Sequence, residues 1–228
     1  SWLPEPTPLN VWGAILASIA AGVAIAAGRA TRWAACGFVA SFAFLETVDA
    51  ALYLNHYWFM TLAGVVLAVI PQPDDGRVPF LSVVALRFQL GVVYVFAGVA
   101  KLNEDWLLRA EPLATWLPLR SDRPVFGPLL EFRVTAFAAS WLGALFDLTI
   151  VGWLLWHRSR LLAYAVLVVF HIATASLFQI GMFPWVMIAL TPIFFAPDWP
   201  RRFLRSHQSS QAADRPQRIG AIRWSIVV

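Results

Sequence analysis

The sequence predicts an all-α fold: a polytopic bundle of transmembrane helices with about seven membrane segments. Three observations lead there. Hydrophobic residues make up 60% of the 228 and charged residues only 13%, whereas soluble domains carry about 25% charged residues; mean hydropathy is +0.68. The apolar residues fall into runs of roughly 17 to 23, the length that crosses a hydrocarbon core of ~30 Å. Twelve tryptophans, many at the ends of those runs (Trp12, Trp33, Trp106, Trp156, Trp199), suit the aromatic belts of the two membrane interfaces.

The first segment, about Leu9–Gly28, is rich in alanine and glycine, which lets neighbouring backbones approach closely. The second, about Trp33–Leu52, carries Glu46 and Asp49 three residues apart, a spacing that puts both on one helix face. A third, about His56–Ile70, stops at Pro71-Gln72-Pro73, because proline cannot continue a helix. The fourth, about Phe80–Leu102, is followed by a polar stretch to Arg133. The fifth is about Val134–Trp156 and the sixth about Leu161–Phe178. The seventh starts near Pro184, a first-turn proline, and ends at Phe195-Ala196-Pro197. Residues 1–205 thus read as one transmembrane domain. Residues 206–218 read as a polar tail, and 219–228 as the start of a further segment, too short to span.

Loop charge predicts the orientation. Arg29, Arg32, Arg77, Arg158, Arg160, Arg201, Arg202 and Arg205 fall on one side, which is therefore cytoplasmic. On the other side Arg109, Arg120, Arg123 and Arg133 are balanced by Glu104, Asp105, Glu111, Asp122 and Glu131. The amino end then lies outside with no cleavable signal, which predicts one more helix before residue 1. The basic residues need no nucleic-acid partner to explain them. Cys36, alone in an apolar run, reads as a small packing residue.

Ionisable residues inside a membrane are costly and default to functional candidates facing the bundle interior. Here they are Glu46, Asp49, Arg87, Lys101, Asp147 and His171, with His56 at the boundary. Lys101 closes the fourth segment and reads in two ways. It is either an anchor whose ammonium reaches the headgroups or an amine, partly withdrawn from water, that acts as a base. Arg87 is expected to pair with a carboxylate such as Asp147, which hydroxyls or backbone could satisfy instead; Glu46 and Asp49 either cap or brace the turn before Asn55, or one of them holds a histidine in one tautomer. His56 and His171 are either histidines satisfied within the bundle or members of a site. With Lys101 they fall in one leaflet, the outer one. No HExxH, ExxH or cysteine cluster suggests a metal, no glycine-rich phosphate loop a nucleotide, and no GxSxG a serine hydrolase.

Four stretches carry a family resemblance: Tyr53-Leu54-Asn55-His56-Tyr57; Phe96 through Trp106, with AGVAKLNEDW; Phe170-His171 through Phe183, ending in FQIGMF; and Ala196 through Arg201, APDWPR. Together they resemble the transmembrane domain of vitamin K-dependent γ-glutamyl carboxylases and their bacterial relatives, the HTTM proteins. The resemblance covers about residues 1–205. It implies an integral membrane enzyme, in a bacterial inner membrane with its site near the periplasmic face. Its co-substrates would be reduced vitamin K, O2 and CO2, its partner a glutamate-containing peptide or protein, and its products γ-carboxyglutamate and an epoxide. Lys101 would be the base that deprotonates the hydroquinone, Asn55 and His56 would contact the quinone head, and His171 would be the other pocket residue. A non-catalytic module that binds an isoprenoid quinone or lipid is the alternative.

Overall fold

The computed structural model describes residues 6–48, 54–70, 79–124, 126–196 and 199. Asp49, the side chain of Asn55 and the expected tail at 206–228 lie outside the described residues. Residues 1–194 form one compact unit and 195–228 a second. Within the second, the rings of Phe195 and Trp199 lie 5.4 Å apart.

The first unit is all-helical among its described residues. Its long elements are α1 (Pro8–Ala26), α2 (Thr31–Val48), α3 (Asn55–Val69) and α4 (Phe80–Ala100). Short turns follow: a π turn at Asp105–Arg109, α5 (Leu113–Trp116), a 3-10 turn at Pro118–Arg120 and α6 (Gly127–Leu130). Then come α7 (Arg133–Leu155), α8 (Arg160–Leu177), α9 (Phe183–Leu190) and a last 3-10 turn at Thr191–Phe194. Helix α1 starts where Thr7 caps it, its side chain accepting from the Asn10 amide, with Pro8 in the first turn. It ends at Gly28, whose φ of +65° is open to a residue without a β-carbon. Pro184 stands in the first turn of α9, as its sequence position predicts.

The expected count of about seven membrane segments is corrected. Among the described residues four helices are long and apolar enough to cross a membrane: α1, α4, α7 and α8. Helix α3 has only 15 residues and α9 only 8. Helix α2 reaches 18, but Arg32 and Glu46 dilute its hydropathy.

Burial is inverted relative to a soluble core, which is what a lipid surround requires. Helix α1 leaves Trp12, Leu16, Ile19 and Val23 exposed along one stripe, whereas Glu46, Thr61, Ser140, Asp147, His171 and Thr191 are buried. Glu46 accepts a 2.9 Å bond from Thr61 Oγ1. It therefore braces α2 against α3; the turn before Asn55 that it was expected to brace with Asp49 lies outside the described residues. Thr61→Val is expected to lower stability by ~1–3 kcal/mol. Adding Glu46→Leu should recover most of that loss, because no buried acceptor is then left unpaired. Thermal unfolding of both variants in detergent checks this.

Helix α1 packs on α2 and α2 on α3; α4 packs on α7, and α7 and α8 on the elements that follow them. The second group holds the main core, with Leu90, Ile150, Leu154, Leu167, Met187 and Phe194 nearly without exposure. The polar stretch after α4 folds as a cap over the first half of α7. Ala110, Leu113, Leu117 and Leu130 form a second small core there with Ala136. Gly127 closes this cap: a β-carbon on it would stand 2.1 Å from the Ser121 carbonyl oxygen.

Candidate functional site

Helices α4 and α7 approach closely because Gly98 has no side chain. A β-carbon there would lie 2.8 Å from Leu148 Cγ and 3.0 Å from the Leu148 amide nitrogen. Asp147, next to Leu148, is thereby presented to the last turn of α4. Lys101 caps that turn, and its Nζ donates to Asp147 Oδ2 at 2.6 Å and to the Ala97 carbonyl at 3.2 Å. The amine also lies 5.1 Å from the centre of the Trp106 ring, a cation–π arrangement. The side chains of Lys101 and Asp147 are 20% and 5% exposed. Lys101 therefore turns inward to a carboxylate and does not extend as an anchor.

The turn beyond α4 is shaped to support this pair. Asn103 donates to the Ala100 carbonyl at 2.7 Å and accepts from the Trp106 amide at 2.9 Å, bringing the chain back over α7. Trp106 Nε1 then donates to the Ser140 carbonyl at 2.8 Å, and the Ser140 hydroxyl donates to the Trp106 carbonyl.

The expected Arg87–Asp147 pair does not form. Arg87 Nε donates to the Ile193 carbonyl at 2.9 Å and Nη2 to the Phe194 carbonyl at 3.3 Å, with the guanidinium above the Phe194 ring. The reason is axial distance. Asp147 meets α4 at Lys101, fourteen residues and about 21 Å along the helix from Arg87.

Two turns inward from Lys101, on the same face of α4, Tyr94 Oη lies 2.9 Å from His171 Nε2 on α8. Phe146, adjacent to Asp147, stacks on Phe170 at 3.9 Å and meets the Tyr94 ring edge-on at 5.9 Å. His56, at the start of α3, is 5.4 Å from the ring of Phe183, and Phe183 is 5.9 Å from His171. The two imidazoles thus share one phenylalanine. Gly181, with φ of +60°, brings the turn before α9 against His56: a β-carbon on it would be 4.0 Å from His56 Nε2. Among the described residues, His56 Nε2 and His171 Nδ1 are both buried without a hydrogen-bond partner.

The structure therefore brings His56 and His171 to one aromatic cluster and sets Lys101 two helical turns away, joined to it through Asp147, Phe146 and Tyr94. No hydrogen bond or ring contact links Lys101 directly to either histidine among the described residues. Asn55 begins α3 beside His56. Tyr94 and Trp106 are site members that hydropathy does not mark. Tyr94 was legible in one respect: it precedes Lys101 by seven residues, which places both on one helical face. A cleft of roughly 490 Å³ opens between the cap and the α8–α9 turn, lined by Trp116, Leu119, Arg120 and Phe178 and by none of Lys101, Asp147, His56 or His171. Among the described residues no three His, Cys, Asp or Glu side chains gather as metal ligands.

A unit that is all-helical among the described residues, with apolar faces outward, an inward lysine–carboxylate pair and a separate aromatic cluster holding two histidines, defines an integral membrane protein with its polar groups turned inward. Residues 1–199 match the HTTM domain, and the chain belongs to that family. The HTTM domain is found in proteins related to the vitamin K-dependent carboxylase. No solved structure matches the chain.

Proposed function

We propose that this chain is a carboxylase-like membrane enzyme. It oxygenates a reduced vitamin K-type hydroquinone to the epoxide and couples that step to γ-carboxylation of a glutamate side chain with O2 and CO2. The observation that carries this reading is the Lys101–Asp147 pair, an amine and a carboxylate 2.6 Å apart inside an apolar bundle. The surroundings fit an aromatic head bearing hydroxyls. Phe146, Phe170 and Phe183 offer ring faces and edges, and His56 Nε2 and His171 Nδ1 are buried polar atoms awaiting partners. The hydroquinone, when bound, supplies the electrons that activate O2.

The chain's own residues handle the proton. An apolar surround disfavours separated charges, so the pair keeps its charges adjacent or neutralises them by sharing one proton between Nζ and Oδ2. With that proton on Asp147, the Lys101 amine is neutral and accepts a hydroxyl proton. The ammonium so formed stays beside the anion it has generated. Asn55, His56 and His171 orient the head group. Asp147, Tyr94 and His171 are 4%, 2% and 2% exposed, so the carboxylate and the imidazole are shielded from water, while Lys101 keeps a partly open side, 20% exposed. On the orientation set by loop charge, Lys101 faces the periplasmic side of a bacterial inner membrane. A glutamate-containing peptide would approach it there.

The test is to incubate the chain in membranes with reduced vitamin K, a glutamate peptide and labelled bicarbonate. Label in the peptide together with epoxide supports the enzyme. Quinone bound without epoxide or label makes the chain a quinone- or lipid-binding module instead.

A further inference from the structure

The cleft between the cap and the α8–α9 turn takes no part in the chemistry described above, and its lining is of two kinds. Trp116, Leu119, Phe178 and Ile180 make it apolar, while Arg120 from the cap brings a charge and Gln179 from the turn an amide. The Trp116 and Phe178 rings meet at 5.9 Å, and Trp116 and Leu119 remain exposed. Its volume of roughly 490 Å³ falls within the ~300–1,000 Å³ of ordinary ligand sites.

Arg120 is the unusual member. It is the one charged residue of the lining and is half-buried. Among the described residues its guanidinium has neither a hydrogen bond nor an ion pair. Other charges of the cap are met locally: Arg109 takes both Glu104 and Asp105, and Glu111 accepts from Thr115 Oγ1 at 2.9 Å. A guanidinium stays charged at any physiological pH and presents a planar fork of donors that matches a carboxylate. Aromatic and aliphatic walls strip part of its water, so an anion gains more there than at an open surface. An isoprenoid chain would cover the apolar walls but leave that charge unpaired and further desolvated. The complementary ligand joins a carboxylate to an apolar group, as an acidic side chain does beside an apolar one in a peptide.

Two walls connect the cleft to the reacting groups without containing them. Leu177 and Phe178 pack on the same small core as Trp106, the ring that lies against the Lys101 amine. Gln179 and Ile180 lead directly into Gly181, which stands against His56. Lys101 is absent from the lining, so the acid held by Arg120 is a different one from the glutamate that reacts.

We propose that this cleft is a docking subsite for the peptide substrate, in which Arg120 pairs with a second acidic side chain of the peptide and the Trp116–Phe178 wall takes its apolar neighbour. The identity of the peptide as a substrate rests on the reading of the chain as a carboxylase-like enzyme. The subsite adds a substrate class to that reading: a glutamate with an acidic–apolar pair nearby in the same peptide. Arg120 acts on binding alone, and the chemical step does not use it.

Equilibrium binding of two fluorescent peptides to the full chain in lipid nanodiscs tests this. Each peptide carries one glutamate and, a few residues away, a leucine next to either an aspartate or an asparagine. The aspartate peptide should bind the unaltered chain roughly 10–100-fold tighter, the range of a charge-assisted pair. Arg120→Gln should remove that difference by weakening the aspartate peptide alone, and Arg120→Lys should restore part of it. Arg123→Gln, an exposed charge outside the lining, should change neither peptide. In turnover, Arg120→Gln should raise KM for the aspartate peptide and leave kcat unchanged. Equal binding of the two peptides to the unaltered chain, or an equal loss of both in Arg120→Gln, overturns the inference. So does release of bound phosphatidylglycerol by Arg120→Gln with peptide binding unchanged, which would make the cleft a lipid-headgroup site. Binding is read without hydroquinone or CO2, so the two readings fail separately. An Arg120-dependent preference without epoxide formation defeats the enzyme and leaves a peptide-docking cleft, whereas carboxylation of both peptides alike defeats the subsite and leaves the enzyme.

Discussion

Lys101→Met is expected to reduce epoxide formation from the hydroquinone by at least about 100-fold, the lower range of what a positioned proton acceptor contributes. The substitution also removes the partner of a buried carboxylate. Breaking such a pair from one side costs ~3–5 kcal/mol, so the single variant confounds chemistry with folding. The double variant Lys101→Met/Asp147→Leu separates them. Two apolar side chains of similar volume replace the pair, and thermal stability should return close to that of the parent while turnover stays lost. Epoxide yield and unfolding temperature measured on the same nanodisc samples give both readouts. A stable double variant that still makes epoxide would show that the pair is structural.

Gly98→Ala should act on the same pair from outside it. The added methyl falls 2.8 Å from the branch carbon of Leu148 and 3.0 Å from that residue's backbone nitrogen, so α7 itself must shift. Overpacking of this kind costs ~1–3 kcal/mol. The functional effect should be larger than the stability loss suggests, because Asp147 adjoins Leu148 and moves with it. A displacement of ~1 Å in a reacting group can cost ~100-fold in rate. Gly152→Ala on α7 is the control: nothing lies within 4 Å of its added methyl. It should preserve turnover and leave stability equal or raised by ~0.5–1 kcal/mol through the lost flexibility of glycine. Equal behaviour of the two variants would mean that the α4–α7 approach does not seat the ion pair.

Several features were legible in the chain itself. Helix positions followed from runs of apolar residues, and their ends from proline and glycine. Bounds such as about Val134–Trp156 lie within a residue of α7. That Asp147 and His171 are turned inward followed from the cost of leaving charge or imidazole in lipid, whereas for Lys101 the sequence left an outward anchor equally open. The cap over α7 was read only as a polar stretch. Its apolar members Leu113, Leu117 and Leu130 are too few and too widely separated by charges to produce a hydropathic signal. They bury themselves only because α7 supplies a surface.

What the sequence determined alone is the class of molecule and the set of residues that must be hidden: composition and period report the solvent each side chain prefers, and both are local quantities. What the tertiary structure decided is who meets whom. The choice of Lys101 over Arg87 as the partner of Asp147, the hydrogen bond between Tyr94 and His171, and the placing of His56 and His171 against one Phe183 ring all depend on how far one helix slides along another. That sliding is set by a few close approaches, Gly98 against Leu148 foremost, between residues fifty positions apart in the chain.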